Sequence, residues 1–502
     1  MATLPNAMVS EDISENEKAE SIHSKSPSTP TPSEAPVDIN PEAERRLVRK
    51  LDLIILPLFI VIYCCNFIDR TSIGNAKVAG LEADLGMHGT QFNVALTIFY
   101  VFYIISDIPS NLILKRYGSV WLAFLVIGFG VITLASAFLH SFAGLVVNRV
   151  FLGLAEGGTL SGLVYIISRY YRRKELVVRV GIFFGVGPSI AGAFGGLLAS
   201  GLLSLPDIGS VKSWRKIFLV EGIITTVFGL MLLFIVPEDP SRSRILNAAE
   251  RKLAMARIDA DQIVKTQGQK EKTNFKLVLR SFNLITIACT ICYILLNMSF
   301  AGLSLFLPSV IRAQGSYSLI EVQLRTVPPF IVSAVWVVLN AWVSARINKC
   351  FLPILYNLLL TIAGYAVSIS TKNPKVRYAS CFLMIMGGSI GGPMFVTWSV
   401  DNAAPDTMRA VVTAVVPGIG ALGAVLAVWT YNPRDAPDYR QGNTANLACC
   451  SAIFGIISFT AMYIHWENKK RARGERDSRL EGKTEEEVRS LGYRHPRFRY
   501  QI

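Results

Sequence analysis

Hydrophobic residues along this chain gather into long unbroken runs instead of the short periodic alternations of a soluble fold. Stretches such as Ser119–Leu139 and Ile217–Val236 approach the roughly 20 residues that a helix needs to cross a bilayer. Six such runs cover residues 51–73, 91–114, 119–139, 142–168, 177–203 and 214–236. Six more cover 284–311, 322–345, 351–370, 378–400, 410–431 and 445–466. A polar connector, 237–283, separates the two sets. Secondary transporters are commonly built as repeated halves with the binding site between them near the bilayer midplane. The pattern therefore predicts an all-α membrane protein with 12 transmembrane helices in two six-helix halves, 47–236 and 284–466. A tail over 1–46, rich in Ser, Pro, Glu and Thr, is expected to be disordered. A second, short tail follows over 467–502.

Composition sharpens this picture. The 502 residues are 51% hydrophobic and only 17% charged, against about 25% charged in soluble domains, so a soluble enzyme is not the first reading. The net charge of +14 invites a nucleic-acid reading. The basic residues instead sit in short clusters between apolar runs, without interleaved aromatics, which is the pattern of membrane topology. Lys and Arg are denser on the loops that share a side with both ends of the chain, as at Arg45–Lys50, Arg169–Lys174 and Lys469–Arg473. The Lys372–Arg377 cluster opposes the trend. The balance predicts both termini in the cytoplasm; a protein of the plasma membrane working as a monomer is expected. No apolar signal-peptide region opens the chain. Within the connector, Ile245–Ile258 is amphipathic and reads either as a helix lying on the inner membrane surface or as a plain surface helix.

The eight cysteines all fall inside or at the edges of apolar runs. Cys289 and Cys292 form a CxxC, but no second CxxC or His pair completes a metal site, so they read as two small residues on one helix face. No nucleophile–base set or phosphate loop appears either. Neither catalysis nor a cofactor is expected.

The chemistry therefore rests on charges inside the spans, where burial is costly and marks a pathway. Asp69 and Arg70 lie in the first span, Arg149 and Glu156 in the fourth; Asp107, Glu221 and Asp401 stand nearer span ends. Arg149 and Glu156 are two helical turns apart on one face, with Gly153 between them. Tyr63, Asn66 and Arg70 form a polar stripe on the first span, which a lipid-facing helix would not carry. Tyr293 and Asn297 in the seventh span, and Trp398 and Asn402 at the inner end of the tenth, offer contacts from the other half. Each has a structural alternative: Arg149 and Glu156 as a brace between helices, Asp69 and Arg70 at the outer interface, and Tyr293, Asn297 and Trp398 as packing. The planar fork of arginine suits a carboxylate, so two buried arginines point to an anionic small-molecule substrate. No histidine lies mid-span; if protons drive transport, Asp69 or Glu156 has to carry them. Glycine and proline are dense in the fifth span, with the GxxxG pairs Gly181–Gly185 and Gly192–Gly196, and in the eleventh, with Pro417, Gly418, Gly420 and Gly423. They allow close helix approach and bending.

Several motifs resemble a known family. Asn66-Phe67-Ile68-Asp69-Arg70-Thr71 followed by Ile73-Gly74-Asn75-Ala76 resembles the first-helix signature of the anion:cation symporter family of the major facilitator superfamily. The likeness is nearest to its fungal allantoate-permease-like branch. Pro109-Ser110-Asn111-Leu112 with Lys115-Arg116, Asn148-Arg149 through Gly153 and Glu156-Gly157, and Trp214-Arg215 with Phe218 and Glu221-Gly222 extend it. So do Trp398, Asn402, Arg409 and Asp435-Ala436-Pro437. It covers about residues 47–466 and is specific to the family, not to a substrate. The resemblance implies a major facilitator fold and proton-linked uptake of a small organic anion, such as allantoate, a vitamin carboxylate or tartrate. It also implies that Arg70 and Arg149 meet the anion and that Asp69 and Glu156 couple protons. One departure is that the acidic residue expected in the second-to-third loop stands earlier, at Asp107. A metabolite exporter and a transport-dead nutrient receptor are the competing readings.

Overall fold

The computed structural model describes residues 40–501 apart from 208, 210, 212, 238, 267–274, 348–350, 405, 483–487, 489 and 490. Residues 1–39 of the expected tail and the middle of the connector thus lie outside the described residues. The tail ends sooner than expected, because Pro41 opens the first helix. Asn40 caps it, its Oδ1 accepting from the Glu42 amide at 2.9 Å, and Glu42 and Glu44 occupy the first turn, where the helix dipole favours negative charge.

Each apolar run is helical, and the described residues hold 12 helices long and apolar enough to cross a membrane. Those of the first half are Pro41–Val78, Gln91–Leu114, Ser119–Ser136, Phe142–Tyr170, Arg179–Ser204 and Arg215–Ile235. Those of the second are Leu284–Arg312, Leu319–Ser344, Phe351–Ser370, Pro374–Asp401, Val411–Thr430 and Arg440–Ala472. Apolar side chains such as Phe234, Leu53 and Ile108 are more than 70% exposed. A water-soluble surface would not carry them so densely, whereas hydrocarbon would receive them at no cost.

Small residues set how the helices meet. The fifth span, the most buried of the twelve, packs along the eighth. A Cβ on Gly192 would stand 2.6 Å from the Phe330 ring, and one on Gly196 2.3 Å from Thr326 Oγ1. Gly192 and Gly196 therefore join the two halves, and the fifth helix stays continuous from Arg173 to Ser204. Breaks fall elsewhere. The fourth span is two helices, Phe142–Glu156 and Thr159–Tyr170, joined through Gly158 at φ +80°, where a side chain would be strained. The eleventh is likewise split into Asp406–Gly420 and Leu422–Thr430.

On one face the halves are fastened together. Asn93 Nδ2 donates to the Val428 carbonyl (2.8 Å), Trp429 Nε1 to Thr97 Oγ1 (3.0 Å), Arg312 Nη1 to the Val78 carbonyl (2.5 Å) and Gln323 Nε2 to the Asn75 carbonyl (3.4 Å). Lys77 adds its ammonium between the rings of Phe92 and Phe306, 4.2 and 5.3 Å from their centroids. On the other face lies the connector helix, Ala248–Thr266. It packs on protein through Ala254 and Arg257, whose Nη2 donates to Glu175 Oε1 at 2.6 Å.

Candidate functional site

Between the halves lies a cavity of about 1950 Å³. Its wall runs from Tyr63, Arg70 and Tyr293 to the connector residues Asp239, Ser241 and Met255, so it reaches the connector face.

Arg70 is the cation deepest in that wall. Its Nε donates to Glu156 Oε2 (2.9 Å) and its Nη2 to Asn66 Oδ1 (2.7 Å), while Asn66 Nδ2 donates to the same Glu156 oxygen (3.1 Å). The guanidinium lies 4.4 Å from the Tyr103 ring centroid, a favourable cation–π placement. Glu156 is the last residue of the half-helix Phe142–Glu156, and its Oε1 has no hydrogen-bond partner among the described residues. Ser106 lies against the break, its Oγ donating at 3.2 Å to the Gly153 carbonyl, which also accepts from the Gly157 amide at 3.0 Å. Broken helices at membrane depth are tolerated only where protein or a cavity takes up the freed backbone groups. Gly153 itself lets the fourth span seat on the second, since a Cβ there would stand 2.5 Å from the Phe99 carbonyl oxygen.

Of the anticipated residues, Tyr63, Arg70, Tyr293 and Asn297 line the cavity, as does Trp398. Asn66 and Glu156 stand directly behind Arg70. Asn297 also closes the break in the eleventh span, its Nδ2 donating to the Gly420 carbonyl at 3.1 Å.

Three other anticipated residues stand off the cavity wall. Arg149 is 1% exposed and does not reach the cavity. It makes no ion pair with Glu156 among the described residues; its Nε and Nη2 are unpartnered there, and its Cζ lies 5.9 Å from the Phe218 centroid. The two-turn spacing did align it with Glu156, but that face of the fourth span turns inward within its own half. Asp69 also lies inside the first half, 1% exposed and off the cavity wall, within electrostatic reach of Arg149, Glu156 and Glu221. It is therefore not at an interface with water. Asn402 is fully occupied elsewhere. Its Nδ2 donates to the carbonyls of Trp398 (2.9 Å) and Gln501 (3.0 Å), and its Oδ1 accepts from the Gln501 amide (2.8 Å).

That last contact exposes what sequence reading missed. Residues 493–501 fold back under the second half. Asn468 exchanges two bonds with the Tyr500 backbone, each 2.9 Å. Arg471 Nη1 donates to the carbonyls of Tyr493 and Phe498. Trp398 Nε1 donates to the Gln501 carbonyl at 3.0 Å, and Gln501 joins the cavity wall. Nothing local in the basic tail signals this docking. Glu221 was legible through its Trp214-Arg215…Glu221-Gly222 setting, although it stands nearer a span end. It is 2% exposed, with both carboxylate oxygens unpartnered among the described residues. Asp107 lines the cavity and accepts from Ser161 Oγ at 2.5 Å instead of gating a loop.

A profile of the Major Facilitator Superfamily matches residues 59–428. The chain belongs to that superfamily. Among similar proteins is an uncharacterized transporter of Schizosaccharomyces pombe, C1039.04, 32% identical over 86% of this chain and 85% of its own length. Another is the major facilitator-type transporter hxnP of Emericella nidulans, 28% identical over 94% and 96%. The fold is similar to a bacterial homolog of the human lysosomal transporter Spinster, solved inward-facing and unoccupied. The TM-score is 0.60 at 18% identity, covering 80% of this chain and 94% of that one. This superfamily member is a multi-pass integral membrane protein and a secondary transporter of a small molecule, not an enzyme.

Proposed function

We propose that this transporter is a proton-coupled symporter of the anion:cation branch, taking up a small organic anion across the plasma membrane as a monomer with both termini cytoplasmic. One observation carries the reading: Arg70 is shared between the cavity and Glu156. A carboxylate arriving in the cavity competes for the Arg70 fork. Glu156, wholly buried, is then left without its cation, and an uncompensated buried charge is too costly to keep. It takes up a proton, so cargo and proton load together. Asp69, within electrostatic reach of Glu156, is the second proton position, and Arg149 sets the potential around both from behind the wall. With the connector face cytoplasmic, the cavity is open inward.

The test is uptake of radiolabelled organic acids and vitamins in cells lacking their own permeases. Uptake should rise with acidic outside pH, fall severely in Arg70→Lys, which loses the bidentate fork, and lose its pH dependence in Glu156→Gln. Proton-coupled uptake unchanged by Glu156→Gln would remove the proton assignment, and extrusion in place of uptake would reverse the direction.

A further inference from the structure

The first span carries two polar stripes. Asn66 and Arg70 meet Glu156 beside the cavity. Cys65, Asp69 and Ser72, at i, i+4 and i+7, share a different face. That face turns into the interior of the first half, where Glu221 of the sixth span comes within electrostatic reach of Asp69 and Cys65. Ser72 stands beside Glu221, and Thr133 of the third span beside Asp69, without forming a hydrogen bond. Asp69, Ser72, Thr133 and Glu221 are at most 2% exposed. Every side-chain oxygen of the four lacks a hydrogen-bond partner among the described residues, and none of the four lines the cavity.

The charges here do not balance. Arg70 is paired with Glu156 at 2.9 Å, and Arg149 lies within reach of Asp69 and Glu156, so two guanidiniums face three carboxylates. The helices packed on Glu221 bring it no further cation. The third span, Ser119–Ser136, has no titratable side chain, and the fifth has only Arg179, at its connector end. On the sixth helix itself, Lys216 is taken by the Leu205 carbonyl (2.7 Å) and Asp207 (3.5 Å), and Arg215 by the Leu139 carbonyl (2.9 Å) and Asp84 (3.6 Å). An ionised carboxylate enclosed in this way is too costly to keep, so Glu221 carries a proton. Depth then orders the carboxylates. From the helix ends on the face away from the connector, Arg215, Val78 and Phe142, Glu221 lies about 9 Å in, Asp69 about 13 Å and Glu156 about 21 Å, at 1.5 Å per residue.

We infer that Glu221 is a proton store, and that protons reach Glu156 through the interior of the first half, by a route separate from the cargo cavity. This rests on the symport reading above and deepens it. When cargo takes Arg70, Asp69 is the acid or base on either side of the transfer. The O–H bond of Glu221 breaks and one forms on Asp69, passed along by the hydroxyls of Ser72 and Thr133. Asp69 hands a proton to Glu156, and a proton from solvent on the face away from the connector refills Glu221. Each step moves one proton and leaves no atom unbalanced. The store is covered. Phe218 and Trp214, three and seven residues before Glu221 on the same helix face, stack with centroids 5.9 Å apart and are no more than 1% exposed, so refilling waits on their movement.

The test needs no cargo. The infrared difference between wild type and Glu221→Gln, both full-length in lipid at neutral pH, should show the carbonyl stretch of one protonated carboxyl group, and Glu221→Asp should keep a shifted band. Dicyclohexylcarbodiimide, which modifies protonated carboxyls in apolar surroundings, should label Glu221 under the same conditions, as mapped by mass spectrometry. Asp69→Asn removes the carboxylate that competes for Arg149. Glu221 then ionises against that cation, and both the band and the label should be lost. A merely structural acid would keep both in Asp69→Asn, and that result, or their absence from the wild type, would overturn the proposal. A second arm measures acid-driven uptake of radiolabelled allantoate, nicotinate and tartrate into proteoliposomes. Glu221→Gln should lose it as Glu156→Gln does. Loss in Glu156→Gln alone removes the store and leaves the symport reading standing, while acid-driven uptake intact in both variants, or seen with none of the three acids, removes that reading and this one with it.

Discussion

The Arg70–Glu156 pair allows a quantitative prediction. Removing the guanidinium in Arg70→Met leaves Glu156 with a single charge-neutral donor, Asn66 Nδ2. Breaking a buried ion pair by deleting one partner costs about 3–5 kcal/mol, because the survivor is buried and uncompensated. Arg70 keeps 14% of its side chain exposed while Glu156 keeps none, so the lower end, about 3 kcal/mol, applies. Glu156→Leu alone strands a guanidinium that still touches the cavity and should cost less. The double variant removes both charges and should recover most of the loss, giving a coupling of roughly 2–3 kcal/mol. Denaturation in mixed micelles, with SDS as denaturant and tryptophan fluorescence as readout, measures all four corners of the cycle. The Arg70→Met penalty should also shrink as pH falls, since a protonated Glu156 carries no stranded charge. A double variant as unstable as the sum of the singles, with no pH effect, would refute the reasoning.

Three further outcomes are expected. Gly153→Val should destabilise the fold by about 1–3 kcal/mol through overpacking against the Phe99 backbone, while Gly195→Ala, with nothing within 4 Å of the new methyl, should be neutral in the same titration. Asn402→Ala removes two side-chain bonds to the Gln501 backbone. At about 0.5–1.5 kcal/mol per bond, tryptic cleavage at Arg494, Arg497 and Arg499 should rise roughly tenfold or more. In the connector, Lys50 Nζ at 2.7 Å holds the Glu250 carboxyl below its usual range, helped by the Asn247 amide. The contribution is present above the ordinary carboxylate range and is lost as pH falls through the lowered value. Hydrogen-exchange protection in Ala248–Thr266, taken relative to the intrinsic rate at each pH, should therefore fall below about pH 4, and Glu250→Gln should show the lower protection already at neutral pH.

The helices were legible because hydrocarbon imposes one rule along the whole chain, and the runs at 91–114 and 351–370 coincide with helices. Arg70 and Glu156 stood out for the same reason: charge inside an apolar run is conspicuous. What one-dimensional spacing could not supply was azimuth. Arg149 and Glu156 share a face, yet a helix in a bundle has several neighbours, and the pattern does not say which of them is the cavity. The bonding of Asn402 was not legible because its partner, Gln501, lies some hundred residues on, in a polar tail whose composition carries no packing signal. The break at Gly157–Gly158 was hidden by reading Gly157 as part of a motif instead of as punctuation.

The fastenings on the face away from the connector have a strength worth considering. Four hydrogen bonds join the halves there; at about 0.5–1.5 kcal/mol each they amount to roughly 2–6 kcal/mol. Turning a two-state balance from 1:99 to 99:1 takes about 5.5 kcal/mol. The latch is thus matched to what a modest ligand can supply by binding one state better than the other. A much stronger seal would trap the carrier on one side, and a much weaker one would let solute leak through.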